Sequence, residues 1–544
     1  MTLLALALLA ACPQDFANHG GNAQRNGLSE AVGPLRAEVL WETLGDSSII
    51  TWFPFLADGA VYSVRQSGFP GPSSAGDRIV ARDLETGAER WTVTLPYGGD
   101  SSQEWIAWIA GVRDGVVYAS RSTNQTPTPI VALDAATGGV LWSTAYVGTA
   151  SAYDGVVFTD DGDLVVGDFD SLARIDGTTG AIEWEVPRSC PVSGNCGAAL
   201  FGSAAYVDES APGGNRVTRF DLATGVRMYS SDVLVGFTNQ NAPFCGPDGT
   251  VFLLRSQNNP ATDFLYAFDD DGTALVERWN VPTRWTTSHE HGVAADGSVY
   301  TFNRDEELVR LDPATGAETG NAGAILPAGT VNLSPMTAVD GAGRVYLSNG
   351  WASSPPTQGR LWCFSADLSV EHFSIPTDRP NRGGPALGGD GVLVLADRSG
   401  VVALREPDVG VAFCAPGSPN STGLDGVLAA RGSSVASDDR IALTARQLPP
   451  NSLGYFLASR TAGGTTGVAD LCLDGSIGRY SLTVLDTGDA GTFGMDLDLS
   501  AIPQPSGAVP ALAGETWYFQ AWHRDLGPAG PTTDLTQGVA VTLN

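Results

Sequence analysis

Apolar and polar residues alternate along most of this chain in runs of about four to eight, each run ended by Gly, Asp, Asn, Ser or Pro. RIVARD, PIVALD, SLARID and LVRLD are of this kind, and no comparable stretch keeps the 3.6-residue period of an amphipathic helix. The pattern predicts short antiparallel strands joined by tight turns, an all-β fold with almost no helix. The runs are also copies of one another. RIVARDLETGAERW places Asp83, Thr86, Gly87 and Trp91 after an alternating strand, and PIVALDAATGGVLW places Asp134, Thr137, Gly138 and Trp142 at the same offsets. SLARIDGTTGAIEW repeats them as Asp176, Thr179, Gly180 and Trp184. Weaker copies follow in VTRFDLATGVRMY, LYAFDDDGTALVERW, LVRLDPATGAETG, LWCFSADLSVEHF and GVVALREP. The chemistry of the motif is that of a hairpin: Asp caps the turn, Gly supplies positive φ, and Trp opens the returning strand with a ring able to pack between sheets.

A second hairpin stands upstream of most copies, in ADGAVYSV, RDGVVYAS, YDGVVFTD, PDGTVFLL, ADGSVYTF, GAGRVYLS and GDGVLVLA. Two hairpins make a four-stranded sheet of roughly 40 to 55 residues, the size of a propeller blade. One such sheet cannot hide both of its faces, so neighbours must stack around an axis. Eight copies predict eight blades. The last copy lacks a Trp-bearing strand, whereas AEVLWETL, with Trp41, stands near the start with no repeat before it. This N-terminal strand is expected to complete the final blade beside Leu404, closing the ring and removing its open edge. The propeller is expected over 16–408.

From about Val411 the Asp-Thr-Gly frame disappears. GVLAARGS, RIALTARQL, GYFLASRT, GRYSLTVLD, GTFGMDLDL and ETWYFQAWHRD read as short strands between Gly/Pro/Ser turns, predicting a C-terminal antiparallel β-sandwich over 411–544. Trp517, Phe519 and Ala521 fall on one face of the last of these. Trp517, Trp522 and His523 are either part of an aromatic core or a carbohydrate-binding surface, and the core is the preferred reading.

Composition narrows the chemistry. The chain has 544 residues, 67 of them Gly and 33 Pro, and a net charge of −30. That charge repels phosphate backbones and argues against nucleic acid as a partner. All 30 basic residues are Arg, which removes Schiff-base chemistry, a phosphate-loop lysine and any Ser/Lys dyad. MTLLALALLAAC, residues 1–12, is too short to span a bilayer and ends in small residues before a cysteine, as a targeting segment does. Setting Cys12 aside leaves Cys190, Cys196, Cys245, Cys363, Cys414 and Cys472, an even number that suits disulfides in an oxidising compartment. Cys190 and Cys196 bracket CPVSGNC and are a possible pair; Cys414 and Cys472 both lie in the C-terminal region.

Leu9-Ala10-Ala11-Cys12 resembles the lipobox of bacterial lipoproteins, which implies a diacylglyceryl anchor on Cys12, with plain secretion as the alternative. The Asp-x-x-Thr-Gly-x-x-x-Trp repeats, with HGGNAQRNGLS before them, resemble the PQQ-like β-propeller family, which includes quinoprotein alcohol dehydrogenases and the propeller lipoprotein of the outer-membrane assembly machinery. The C-terminal region resembles a module of secreted myxobacterial and planctomycete proteins, and that likeness implies a Cys414–Cys472 disulfide. In quinoproteins the resemblance implies an adjacent-cysteine disulfide, a stacking Trp, Ca²⁺ and a catalytic Asp. No Cys-Cys dipeptide and no CxxCH haem motif occurs here, and the repeating Trp residues read as inter-blade packing. No catalytic or cofactor-binding residue is therefore assigned, and PQQ is not expected.

His289 and His291, within Ser288-His289-Glu290-His291, are the candidate metal ligands, since residues i and i+2 of a strand share a face; a polar channel-lining strand is the preferred reading. The aspartates of TDDGDLVVGDFDS are an alternative Ca²⁺ site that lacks the EF-loop spacing. The expected function is that of a non-catalytic envelope or secreted binding protein, lipid-anchored, whose partner is an envelope protein or extracellular polymer. The alternatives are a PQQ- or metal-dependent oxidoreductase and an outer-membrane assembly lipoprotein.

Overall fold

The computed structural model describes residues 16–43, 54–67, 76–95, 106–122, 129–144, 156–190, 197–236, 242–255, 261, 263–284, 291–326, 336–348, 359–377, 383–388, 391–396, 400–414, 419–463, 471–488, 491–527 and 530–544. They form two compact units, one of residues up to Gly33 with Val39–Arg405, the other of Pro34–Glu38 with Glu406–Asn544.

The first unit is a β-propeller. Its described residues hold eight antiparallel sheets, each of four strands in radial succession, with a short fifth strand, Leu234–Val235, on the fourth sheet. The first sheet runs Phe55–Ala57, Ala60–Arg65, Arg78–Asp83, Glu89–Thr94. Six more follow in chain order, ending in the strands Val140–Ser143, Ile182–Pro187, Arg227–Ser230, Leu275–Pro282, Glu318–Gly323 and Glu371–Thr377. The eighth takes Gly383–Leu387, Leu393–Ala396 and Val401–Arg405 from the end of the repeats and Glu38–Glu42 from the start. Trp41 and Leu404 therefore share a sheet. First strands are almost entirely buried where described and last strands largely exposed, which orients every sheet with its first strand toward the axis.

Apolar clusters join each sheet to the next. One unites the eighth, first and second sheets with Met336 and Ala338 of the seventh, and others link second to third, third to fourth, and so on to the seventh. The ring is closed by packing as well as by pairing.

The repeated motif explains how the sheets are held in register. In five sheets the turn aspartate accepts from the Thr three residues on, through both the backbone N–H and the hydroxyl, as Asp134 does from Thr137 at 2.8 and 2.7 Å. The next residue's carbonyl is left free to receive the tryptophan of the preceding sheet. Trp41 donates to Leu84, Trp91 to Ala135, Trp184 to Leu222 and Trp279 to Pro313 at 2.7–3.1 Å. The same indoles lie on the turn glycines: a Cβ on Gly87, Gly138, Gly180, Gly225 or Gly316 would stand only 2.5–2.9 Å from the ring of Trp41, Trp91, Trp142, Trp184 or Trp279. Since Trp41 sits on the strand taken from the chain's start, its docking on the first sheet's turn latches the ring.

Two outcomes follow from these turns. Gly138 has φ +73 and a tryptophan against it, whereas Gly59 has φ +66 with no atom nearer than 3.9 Å. Gly59→Ala is expected to cost about 1 kcal/mol, the left-handed penalty alone, and Gly138→Ala at least about 2 kcal/mol, as read from denaturant midpoints. The Thr hydrogen bonds hold the carboxyls of Asp134, Asp176, Asp221 and Asp312 below the usual carboxylate range. A lowered folded-state value gives stability that is present above the unfolded value and lost as pH falls through the folded one. Thermal midpoints should thus fall below pH of about 4, and the fall should shrink when these four aspartates become asparagine.

In the second unit a three-stranded sheet (Val427–Gly432, Ile441–Arg446, Phe493–Leu497) and a seven-stranded one share a single apolar core. The larger sheet is built on Thr516–Gly527, flanked by Leu453–Ser459 and Gly538–Thr542. Trp517, Phe519 and Ala521 point into that core and His523 is buried, while Trp522 stacks on Tyr455 at 4.8 Å. Trp517 and His523 thus belong to the interior and form no surface for sugar. Cys414 and Cys472 are disulfide-bonded.

Candidate functional site

The strand order gives the propeller two unlike ends. Connections from first to second strand and from third to fourth emerge at one end and are tight turns, such as Asp58-Gly59 and the Asp-x-x-Thr-Gly turns. Connections from one sheet to the next emerge at the other end and are longer, as at 95–105, while those from second to third strand at that end range from the short turn at 212–213 to the long stretch 66–77. Long connections on a rigid scaffold are where recognition usually resides.

At the tight-turn end the inner edge is occupied by the chain itself. First strands carry N–H groups with no sheet neighbour on the axis side, and residues 16–33 supply the missing acceptors in order around the ring. Phe16 O accepts from Leu56, Ala17 O from Val112, Ala23 O from Leu200, Gln24 O from Cys245, Asn26 O from Val293 and Gly27 O from Val339, all at 2.7–3.0 Å. Ala31 O then accepts from Gly341, and Val32 O abuts Gly391 of the eighth sheet. Asparagines brace this belt internally: Asn18 donates to Asn22 O, Asn22 to Asn26 Oδ1, and Asn26 to Cys245 O. His19, buried, sets its ring edge-on to Phe55.

At the long-connection end, polar groups lie between the sheets. Ala204 and Tyr206 of the fourth sheet face Val251 and Leu253 of the fifth within one apolar cluster. By strand alternation the next residues in the two facing rows are Asp208 and Arg255. Both are 1% exposed, and neighbouring Asn215 is 0% exposed. Asn215 Nδ2 donates to Asp208 Oδ1 at 2.6 Å and Arg188 Nη2 to the Asp208 carbonyl at 2.6 Å. Burial pushes the Asp208 carboxyl well above the usual carboxylate range, against the pull of Asn215, Arg188 and Arg255. Asp208 Oδ2, Asn215 Oδ1 and Arg255 Nε and Nη2 are buried without a hydrogen-bond partner. At the tight-turn end of the same interface Asp270, by contrast, is fully engaged, accepting from Tyr206 and Tyr229 and pairing with Arg219.

Between the first and second sheets, polar groups at the same end are matched. Asp77 accepts from Ser67 N and Oγ and from Ala107 N, and Arg121 donates through Nε and Nη2 to Leu95 O at 3.3 and 3.2 Å. Arg121 in VYASR and Arg255 in VFLLR occupy the same place in their repeats.

Of the residues singled out from sequence, His291 is buried beside the first strand of the sixth sheet and stacks on Phe244 at 4.0 Å. His289, Cys12 and Cys196 lie outside the described residues, and with them the His289/His291 face, the anchor and the Cys190–Cys196 pairing. Among the described residues no group of three or more His, Cys, Asp or Glu is arranged to hold a metal. In TDDGDLVVGDFDS, Asp161 and Asp163 both grip Arg174 at 2.6–2.7 Å, and Asp168 caps the turn through the amides of Asp170 and Ser171. Arg188, Asp208, Asn215 and Arg255 were not singled out from the sequence; the recurring Arg at the end of second strands was the available signal.

Residues 75–321 match the family model described as outer membrane protein assembly factor BamB. The propeller is built of PQQ-like repeats. Among solved structures, the quinohemoprotein alcohol dehydrogenase of Comamonas testosteroni is similar at 13% identity, over 76% of this chain and 84% of that one, with a TM-score of 0.50. BamB of Moraxella catarrhalis is similar at 16% identity, over 68% of this chain and 99% of that one, with a TM-score of 0.45. No curated protein matches the sequence.

Among the described residues nothing is arranged to hold a quinone. The sequence has no adjacent cysteines. Trp41, Trp91, Trp142, Trp184 and Trp279 are committed to turn glycines, and Trp108 and Trp362 to apolar clusters, so no described tryptophan of the PQQ-like propeller offers a stacking face. The inner-edge amides at the tight-turn end are taken by residues 16–33.

Proposed function

We propose that this chain is a non-catalytic binding or scaffold protein of the cell envelope, anchored through Cys12, which presents the long-connection end of its propeller to another envelope protein or an extracellular polymer. The observation that carries this reading is the asymmetry of the ring: one end is sealed into tight turns and edged by residues 16–33, leaving recognition to the other. Pull-down from native envelope, with the long-connection end altered in one arm and the turns in another, tests it. Loss of the captured partner is expected only in the first arm; equal loss in both arms refutes the reading. Titration of the full chain with PQQ and Ca²⁺ is expected to give no quinone absorbance change and no gain in thermal midpoint, and a stoichiometric change would restore the oxidoreductase reading. The family match over 75–321 favours one specific partner class, a membrane barrel protein under assembly, and co-purification with such a protein would single it out.

A further inference from the structure

The paired contrast between Arg121 and Arg255 bears on ligand chemistry. Both end a second strand at the long-connection end, yet Arg121 delivers its Nε and Nη2 hydrogens to Leu95 O, while the same two atoms of Arg255 have no acceptor. A guanidinium stays charged under all ordinary conditions. Buried with its Nε and Nη2 hydrogens unmatched, it is costly, and unsatisfied donors of this kind call for a specific explanation. Asp208 is near enough to feel its charge but accepts none of its hydrogens, since Asp208 Oδ2 and Arg255 Nε and Nη2 are all without a hydrogen-bond partner. On the facing sheet stand two further orphans, Asp208 Oδ2 and Asn215 Oδ1, both oxygens. The Asn215 amide is oriented by its bond to Asp208 Oδ1, so its oxygen faces away from that contact.

The unmatched atoms define a complement. Nε and Nη2 form the side-on fork of a guanidinium, which matches the two oxygens of a carboxylate. The facing oxygens need a neighbouring donor, and a hydroxyl can serve Asp208 in either of its protonation states. We propose that these buried groups at the interface of the fourth and fifth sheets form a binding site for a small 2-hydroxycarboxylate, its carboxylate held by Arg255 and its hydroxyl lying between Asp208 and Asn215, donating to one of them. Such a site goes beyond the scaffold reading and does not depend on it, because a macromolecular partner at the long-connection end would leave these interior atoms unmatched.

The test is calorimetric titration of the full chain with glycolate and, separately, with acetate, which has the carboxylate but no hydroxyl. Glycolate is expected to bind one to one and about tenfold or more tighter than acetate, since a missing hydroxyl leaves buried acceptors unpaired. Arg255→Met should abolish glycolate binding while leaving the ligand-free thermal midpoint no lower, because an unpaired buried charge is removed. Should that variant fail to fold, Arg255→Lys keeps the charge without the fork and should weaken glycolate by about tenfold. No glycolate binding, equal affinity for glycolate and acetate, or undiminished binding by either variant would overturn the proposal; a ligand-free midpoint that drops in Arg255→Met would mark Arg255 as a structural residue instead. A failed pull-down alongside successful glycolate binding would sink the scaffold reading alone.

Discussion

Replacing Trp91 with alanine is expected to lower the unfolding free energy of the propeller by about 3–5 kcal/mol. Trp91 is 9% exposed and sits in the cluster that unites the eighth, first and second sheets. Its ring covers Gly138, leans on Tyr62 at 6.0 Å, and its indole N–H reaches the Ala135 carbonyl at 2.8 Å. Alanine removes the packing and leaves a void between two sheets whose backbones are fixed by their own ladders, so little collapse can compensate. Trp142 provides the internal control. It docks on Gly180 in the same way but is less buried, and its indole nitrogen has no hydrogen-bond partner. Trp142→Ala should therefore cost distinctly less, and guanidinium unfolding followed by tryptophan fluorescence would rank the two. Equal losses would mean that the tryptophans act only as bulk.

Converting Cys414 and Cys472 together to serine is expected to destabilise the second unit by about 2–4 kcal/mol, chiefly by freeing the unfolded chain. The bond spans 58 residues of sequence and ties the strand Val411–Phe413 to the segment that leads into Leu473–Asp474. Phe413 packs edge-on against Tyr518, and the Cys472 amide donates to the buried Gln520 side chain, so the crosslink also covers one face of the long strand. Calorimetry with and without reductant would show a lowered transition for this unit and an unmoved one for the propeller. A single transition that shifts as a whole would contradict the expectation.

What could be read from sequence was what recurs. Asp134, Thr137, Gly138 and Trp142 have counterparts at fixed offsets, and the roles inferred for them, turn cap, positive φ and inter-sheet packing, are those found. The orphan strand around Trp41 was legible because one partner was missing at the other end. Residues 16–33 were not, beyond a family likeness: they bond through backbone carbonyls to strands spread from Leu56 to Gly341, and backbone acceptors leave no side-chain pattern. The buried polar groups between the fourth and fifth sheets escaped for a different reason. Asp208 and Arg255 belong to separate repeats and become neighbours only when two sheets stack, and nothing in either local sequence marks the other. The fifth strand Leu234–Val235 was missed because two residues carry no alternation.

The eighth sheet takes its outermost strand from the beginning of the chain and the other three from the end of the repeats. A polypeptide that emerges N-terminus first must therefore keep Glu38–Glu42 unpaired until Val401–Arg405 has been delivered, and Trp41 cannot be seated on a completed ring before then. Contacts this distant in sequence are slow to form, and incomplete chains expose sheet edges prone to associate. Truncation anywhere before Arg405 should thus yield aggregates in place of a smaller soluble propeller, and delivery of an intact chain becomes a condition for any function at all.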